Sequence, residues 1–272
     1  MVLGPDGNLW FLESHASQVA KATPQGEITE FALPQHGDPF FDIVVGPDGN
    51  LWFTDDEGSR IGRVTTAGEV TLFPLPARSG PTNIVAGPDG NLWFTEFDRE
   101  TIAMITPAGA VTEIAHLARG SSPDGICLGS DGNLWFTEFN GNRIGRLTTA
   151  GVVTEFDIPV PNAEPVRVVA GPDHALWVTE FGAGAIGHLT TDGTFTQLPM
   201  ALTEPDGITV RDGNVWITEE SGDMVDEIST TDFIVRIPLP PGSGPEQIAV
   251  GPAGTLWVSE HASHQIARLT VA

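Results

Sequence analysis

An imidazole and several carboxylates recur at matching places in the last third of the chain. His261 directly follows Glu260, Glu246 directly follows Pro245, and Glu204 and Asp206 flank Pro205. An imidazole that titrates near neutrality, set beside carboxylates, is the equipment of general acid/base chemistry. Carboxylates are hard oxygen donors of the kind that suit Mg2+ or Ca2+. His261, Glu246 and Asp206 are therefore candidate catalytic groups. Glu246, Glu260 and Glu204 are candidate metal ligands, with Mg2+ expected and Ca2+ the alternative. Asp124, after Pro123, adds a carboxylate, and His15, two residues after Glu13, adds a second imidazole. His264 falls in the turn after His261, whereas His36, His116 and His174 read as surface residues. The single cysteine, Cys127, lies in an apolar run and reads as a small buried hydrophobe.

These groups can meet only if the chain brings distant segments together, and an internal repeat supplies the means. Trp10, Trp52, Trp93, Trp135, Trp177, Trp216 and Trp257 recur about every 41 residues, each in a context like Asn133-Leu134-Trp135-Phe136-Thr137-Glu138. The fourth copy shows four short strands: Gly125 to Leu128, Leu134 to Glu138, Arg143 to Leu147 and Val152 to Ile158, separated by Gly- and Asn-rich turns. No helical pattern intervenes, so each copy predicts a four-stranded antiparallel meander. Seven such sheets predict a single all-β domain over residues 1–272, a seven-bladed β-propeller. The first and last blades are expected to be incomplete, because Met1-Val2-Leu3 is only the tail of a first strand and the seventh copy stops at Ala272.

A Pro about 12 residues before the Trp, as in Pro81, Pro123, Pro165, Pro205 and Pro245, opens strand one, and an acid three residues after the Trp closes strand two. Antiparallel pairing puts both at one end of the blade. One mouth of the ring therefore collects Glu13, Asp55, Glu96, Glu138, Glu180, Glu219 and Glu260, together with Phe41, Thr82, Asp124, Val166, Asp206 and Glu246. The first set is an acid in every copy and is assigned to the fold. The second varies, is expected to face the axis, and is where a site would be individualised. His15, His261, Glu260 and Glu246 form an acid/base constellation at the seam between blades seven and one.

Charge narrows the partners. With 36 acids against 12 bases, a net charge of -24, the chain is unsuited to nucleic acid or to an anionic membrane surface. No apolar run is long enough to span a bilayer. The N-terminus has no signal-peptide pattern, which predicts a cytoplasmic protein, or a secreted one if an earlier start is missing.

The repeat core resembles the virginiamycin B lyase (streptogramin B lyase) family. Pro123-Asp124-Gly125-Ile126, Leu134 through Arg146 and Thr154-Glu155-Phe156 carry the likeness most clearly, and it extends over essentially the whole chain. The resemblance implies a seven-bladed propeller that opens cyclic streptogramin B antibiotics by Mg2+-dependent elimination at the ester, an antibiotic-resistance activity. It implies a base that removes the proton α to the ester-linked threonine carbonyl, a metal that polarises that carbonyl, and cleavage of the C–O bond. The family places histidines after the Pro of the last two repeats, a glutamate before the last such Pro, and a glutamate four residues after the last Trp. Those positions hold Asp206, Glu246, Gly244 and His261 here. The general-base and partner positions have thus exchanged residue types, which implies His261 as base with Glu246 as metal ligand or orienter.

Three functions follow as expectations. The first is a carbon–oxygen lyase acting on a small cyclic peptide ester at the axial mouth. The second is a non-catalytic propeller that binds a protein or small ligand at its acidic rim. The third is a metal-dependent lactonase or related hydrolase. A monomer is expected in each case.

Overall fold

The computed structural model describes residues 1–34, 41–198, 200–229 and 234–269. His36 and Thr270–Ala272 lie outside the described residues, as does the side chain of His15. The chain forms seven antiparallel sheets, six of four strands and the last, among the described residues, of three. In the fourth copy the strands are Pro123–Leu128, Leu134–Glu138, Arg143–Leu147 and Val153–Asp157, in that spatial order. The innermost strands pack side by side around an axis. The ring closes where Val2–Leu3 lies between Pro245–Val250 and Ile43–Val45. Blade one thus has a two-residue inner strand, and the described part of blade seven ends with Gln265–Leu269 as its third.

The Trp repeat is the packing unit. Trp135 is fully buried and sits in one cluster with Ile144 of its own blade and Val168, Leu176 and Val178 of the next. Each tryptophan thereby joins two sheets, the geometry that a large flat apolar side chain serves best. Its indole N–H needs an acceptor, and the hairpin provides one. Asp6, Asp48, Asp89, Asp131 and Asp173 accept from the tryptophan four residues on, at 2.9 to 3.1 Å. In blade seven Thr255 replaces that aspartate and accepts from Trp257 at 2.9 Å. In blade six the corresponding Asp212 is exposed and lies 3.0 Å from Arg211 instead, and Trp216 Nε1 has no partner among the described residues.

The acid three residues after each Trp behaves as a fold residue. Asp55, Glu96, Glu138, Glu180, Glu219 and Glu260 are all buried, while Glu13 is half-buried. Asp55 accepts from Arg60 at 2.8 Å, Glu138 from Arg143 at 2.6 Å, and Glu180 from Gln197 at 2.5 Å. Burial is the dominant influence on Glu138 and raises its pKa, against the lowering effect of Arg143.

Candidate functional site

The mouth is built by hydrogen bonds that blades two to six repeat. The hydroxyl two residues after the Trp donates to a strand-one carbonyl of the next blade: Thr95 to Asp124, Thr137 to Val166, Thr179 to Asp206 and Thr218 to Glu246, at 2.6 to 2.9 Å. The same hydroxyls accept a strand-one N–H of their own blade, as Thr179 does from Arg167 at 3.0 Å. A hydroxyl both donates and accepts, so one threonine ties its own inner strand to its neighbour.

A second repeated bond orients the rim. The N–H four residues after the Trp donates to the carbonyl of the residue before the Pro: Phe97 to Gly80, Phe139 to Ser122, Phe181 to Glu164, Glu220 to Glu204 and His261 to Gly244. Each accepting residue has positive φ, between 48° and 59°, which costs a side-chain-bearing residue more than glycine. One backbone frame therefore presents different side chains. Blades three to five present Phe97, Phe139 and Phe181, all partly exposed, with the first two rings 6.2 Å apart. Blades six and seven present Glu220 and His261.

Strand one carries an extra residue after its Pro. The register shifts between Pro123 and Ile126, and likewise in blades five, six and seven. Such bulges re-aim side chains. The axial surface is consequently wider than the sequence pattern suggests, for the residue two after the Pro also faces the axis. Asn83, Arg167 and Gln247 occupy that position, Asp42 its equivalent in blade two, and the four line an axial cavity of about 510 Å³, whose remaining wall is largely valine and isoleucine. In blades four and six the position is glycine, where a Cβ would strike the Val166 and Glu246 carbonyl oxygens respectively.

Arg167 organises this layer. Its guanidinium donates to Asn83 Oδ1, two blades away, and lies 3.4 Å from Asp206 Oδ1. Asn83 in turn donates to Asp124 Oδ1 at 3.0 Å. Gln247 bridges the ring seam by donating to the Phe41 carbonyl at 2.5 Å. Burial alone would lower the Arg167 pKa, but Asp206, Asp124, Asp42 and Glu246 outweigh it and hold the group charged. Asp206 is pushed up to about 7, first by burial and then by Glu246 and Asp124, with Arg167 opposing. Burial likewise raises Asp124, against Arg167.

The structure brings some of the expected residues together. His261 Nδ1 lies 3.9 Å from Glu246 Oε2, both at the rim, with the imidazole more than half exposed. Glu220 joins them electrostatically: burial, Glu246 and Glu204 raise its pKa, and His261 lowers it. Glu204 accepts from Ser221 Oγ on the same arc. Glu260 is apart from this group, 96% buried inside blade seven, where it accepts from Ser263 at 2.8 Å. Cys127 is half-buried on the axial wall, and burial pushes its thiol up to about 12. His116 is at the blade edge, 3.5 Å from Glu113.

Among the described residues no three His, Cys, Asp or Glu side chains converge to hold a metal ion. A guanidinium lies among the mouth carboxylates instead. The expected ligands Glu246, Glu260 and Glu204 therefore do not form an all-protein cage for Mg2+ or Ca2+, Glu260 being buried inside its blade.

Arg167, Asn83, Asp42, Gln247 and Glu220, and the three rim phenylalanines, were not singled out by sequence reasoning. Their signal was there in the alignment of the copies, since the second position after the Pro and the fourth after the Trp also vary. The bulge that brings the former to the axis is not visible in a strand pattern.

Repeated blade closure and a mouth whose side chains differ from blade to blade define a seven-bladed β-propeller. The model of the virginiamycin B lyase family matches residues 1–225, and the chain belongs to that family. A second model, strictosidine synthase-like N-terminal, matches residues 233–262. Virginiamycin B lyase from Staphylococcus aureus is 33% identical, with a TM-score of 0.93 over 99% of this chain and 93% of that one. A catalytically inactive variant of that lyase, solved with quinupristin, is 34% identical with the same TM-score and coverage. Hydrazine synthase from Kuenenia stuttgartiensis, at 17% identity and a TM-score of 0.81, shares the fold alone over 100% of this chain and 94% of that one. No curated protein matches the chain.

Proposed function

We propose that the chain is a streptogramin-lyase-like enzyme that opens the ester of a cyclic depsipeptide by elimination. The observation that carries this reading is the His261–Glu246 pair at 3.9 Å, on the rim that also presents Phe97, Phe139 and Phe181. The phenylalanines offer apolar surface to the rings and side chains of a depsipeptide. Neutral His261 takes the proton α to a carbonyl, and Glu246 orients the ring and balances the imidazolium that forms. The electron pair released forms a carbon–carbon double bond, the β C–O bond breaks, and the ester oxygen leaves as a carboxylate. No water is added. Arg167, in the layer beneath, attracts Glu246 electrostatically.

Mass spectrometry of a streptogramin B antibiotic incubated with the protein tests this, in Mg2+ and in chelator. Ring opening at unchanged mass is expected, falling at least about a hundredfold in His261→Ala and in Glu246→Gln. Product heavier by one water would indicate a hydrolase. An antibiotic that stays intact yet binds would establish the second reading, a non-catalytic binding propeller. The specific observation favouring that second reading is that 3.9 Å is an ion-pair separation and longer than a hydrogen bond.

A further inference from the structure

Carboxylates from four blades act electrostatically on one guanidinium at the mouth, that of Arg167: Asp206 of blade six, Asp124 of blade four, Asp42 of blade two and Glu246 of blade seven. Carboxylates that share a partly dry site repel one another, and a cation among them offsets that repulsion. Here the chain supplies it. Arg167 comes from blade five, is nearly buried, and reaches across the axis to Asn83 of blade three while lying 3.4 Å from Asp206. Asn83 holds Asp124 at 3.0 Å, so the guanidinium is tied to blades three, four and six through two side chains. Its backbone is fixed by the Thr179 bond, and its neighbour Val166 accepts from Thr137 at 2.8 Å.

We propose that Arg167 is the resident cation of the mouth, filling the place at which these carboxylates would otherwise gather a divalent metal. A guanidinium directs its N–H groups in a fixed plane and does not dissociate, so the layer keeps one arrangement whatever the free divalent concentration. Arg167 acts as a positioning residue: it holds Asp206 and, through Asn83, Asp124, and so shapes the layer on which Glu246 and His261 stand. The inference concerns the charge balance of the mouth and holds whether or not the lyase reading does.

Mn2+ binding followed by electron paramagnetic resonance tests it, in about 150 mM salt to screen the diffuse negative charge. The wild-type protein is expected to show no one-to-one site, and Arg167→Lys, which keeps a cation there, should behave alike. Arg167→Gln leaves the carboxylates unbalanced and is expected to bind one Mn2+ at least about tenfold more tightly than the wild type, an affinity lost again when Asp206→Asn is added. The double variant removes the charge pair together and serves as the folded reference if Arg167→Gln alone does not fold. In that event the wild-type titration decides: no site upholds the proposal, and one site lost in Glu246→Gln or Asp206→Asn overturns it. A folded Arg167→Gln protein that binds no more Mn2+ than the wild type overturns it equally. None of these readouts depends on turnover, so failure of the lyase reading leaves them interpretable.

Discussion

The two ends of the propeller solve different problems with the same repeat. At the hairpin end the blades copy one another: in five of them an aspartate accepts from the tryptophan indole, and in three a cation stacks over the same ring, Lys21 on Trp10, Arg63 on Trp52 and Arg146 on Trp135. At the mouth the backbone bonds are copied but the side chains are not. The rim frame that carries Phe139 in blade four carries Glu220 in blade six and His261 in blade seven. Redundant closure at one end and in the blade interior leaves the other end free to differ. In a solenoid or ring, stability is spread over many like interfaces, so no single mouth residue has to supply it.

If that division is right, the largest stability losses come from the repeated elements. Trp135→Ala should cost about 3–5 kcal/mol through the cavity it opens between blades four and five, read as a lowered urea midpoint. Thr179→Val joins the two ends, for it removes a donor to Asp206 and an acceptor from Arg167. It should cost about 1–3 kcal/mol and also disturb the mouth, visible as weakened depsipeptide binding or turnover. Asp131→Ala, which strands the Trp135 N–H and leaves the exposed Asn133 donors to water, should cost about 1 kcal/mol and leave ligand binding unchanged. A mouth effect from Asp131→Ala would break the comparison.

A smaller effect comes from pH. Asp226, buried beside Glu219 with Arg236 at 3.6 Å, is pushed up to about 7, and Asp56 on the rim to about 6, in both cases first by burial. Folded-state values above the unfolded ones mean that the native protein binds more protons between about pH 4 and 7, so stability falls as pH rises through that window. Thermal unfolding at pH 5.5 should therefore occur at a temperature a few degrees above that at pH 8. Asp226→Asn should flatten that dependence. A melting temperature that climbs with pH would contradict the assignment.

Much of the fold was legible because the repeat is explicit. Tryptophans at a fixed period, turn residues and alternating strands lead to seven blades without any coordinate, and the fourth copy's strands agree with the structure to within about two residues. The buried role of the acid after each Trp was legible for the same reason, since a residue needed in every blade serves the blade. Glu260 shows the limit of treating one copy separately: its sequence position puts it beside His261, yet successive strand residues point to opposite sides, and it turns inward to Ser263.

By itself the sequence determined the propeller, the end of the ring at which variable polar residues collect, and the nearness of His261 to Glu246, because each depends on period and strand direction alone. Only the tertiary structure decided which side chains face the axis and what neutralises them. A bulge in strand one shifts the side-chain register locally, and ring closure brings Arg167 to Asn83 and Asp206 across blades distant in the chain. Neither a bulge nor a contact across the axis leaves a mark in a repeat read one copy at a time, so the guanidinium among the mouth carboxylates emerges only when seven copies share one centre.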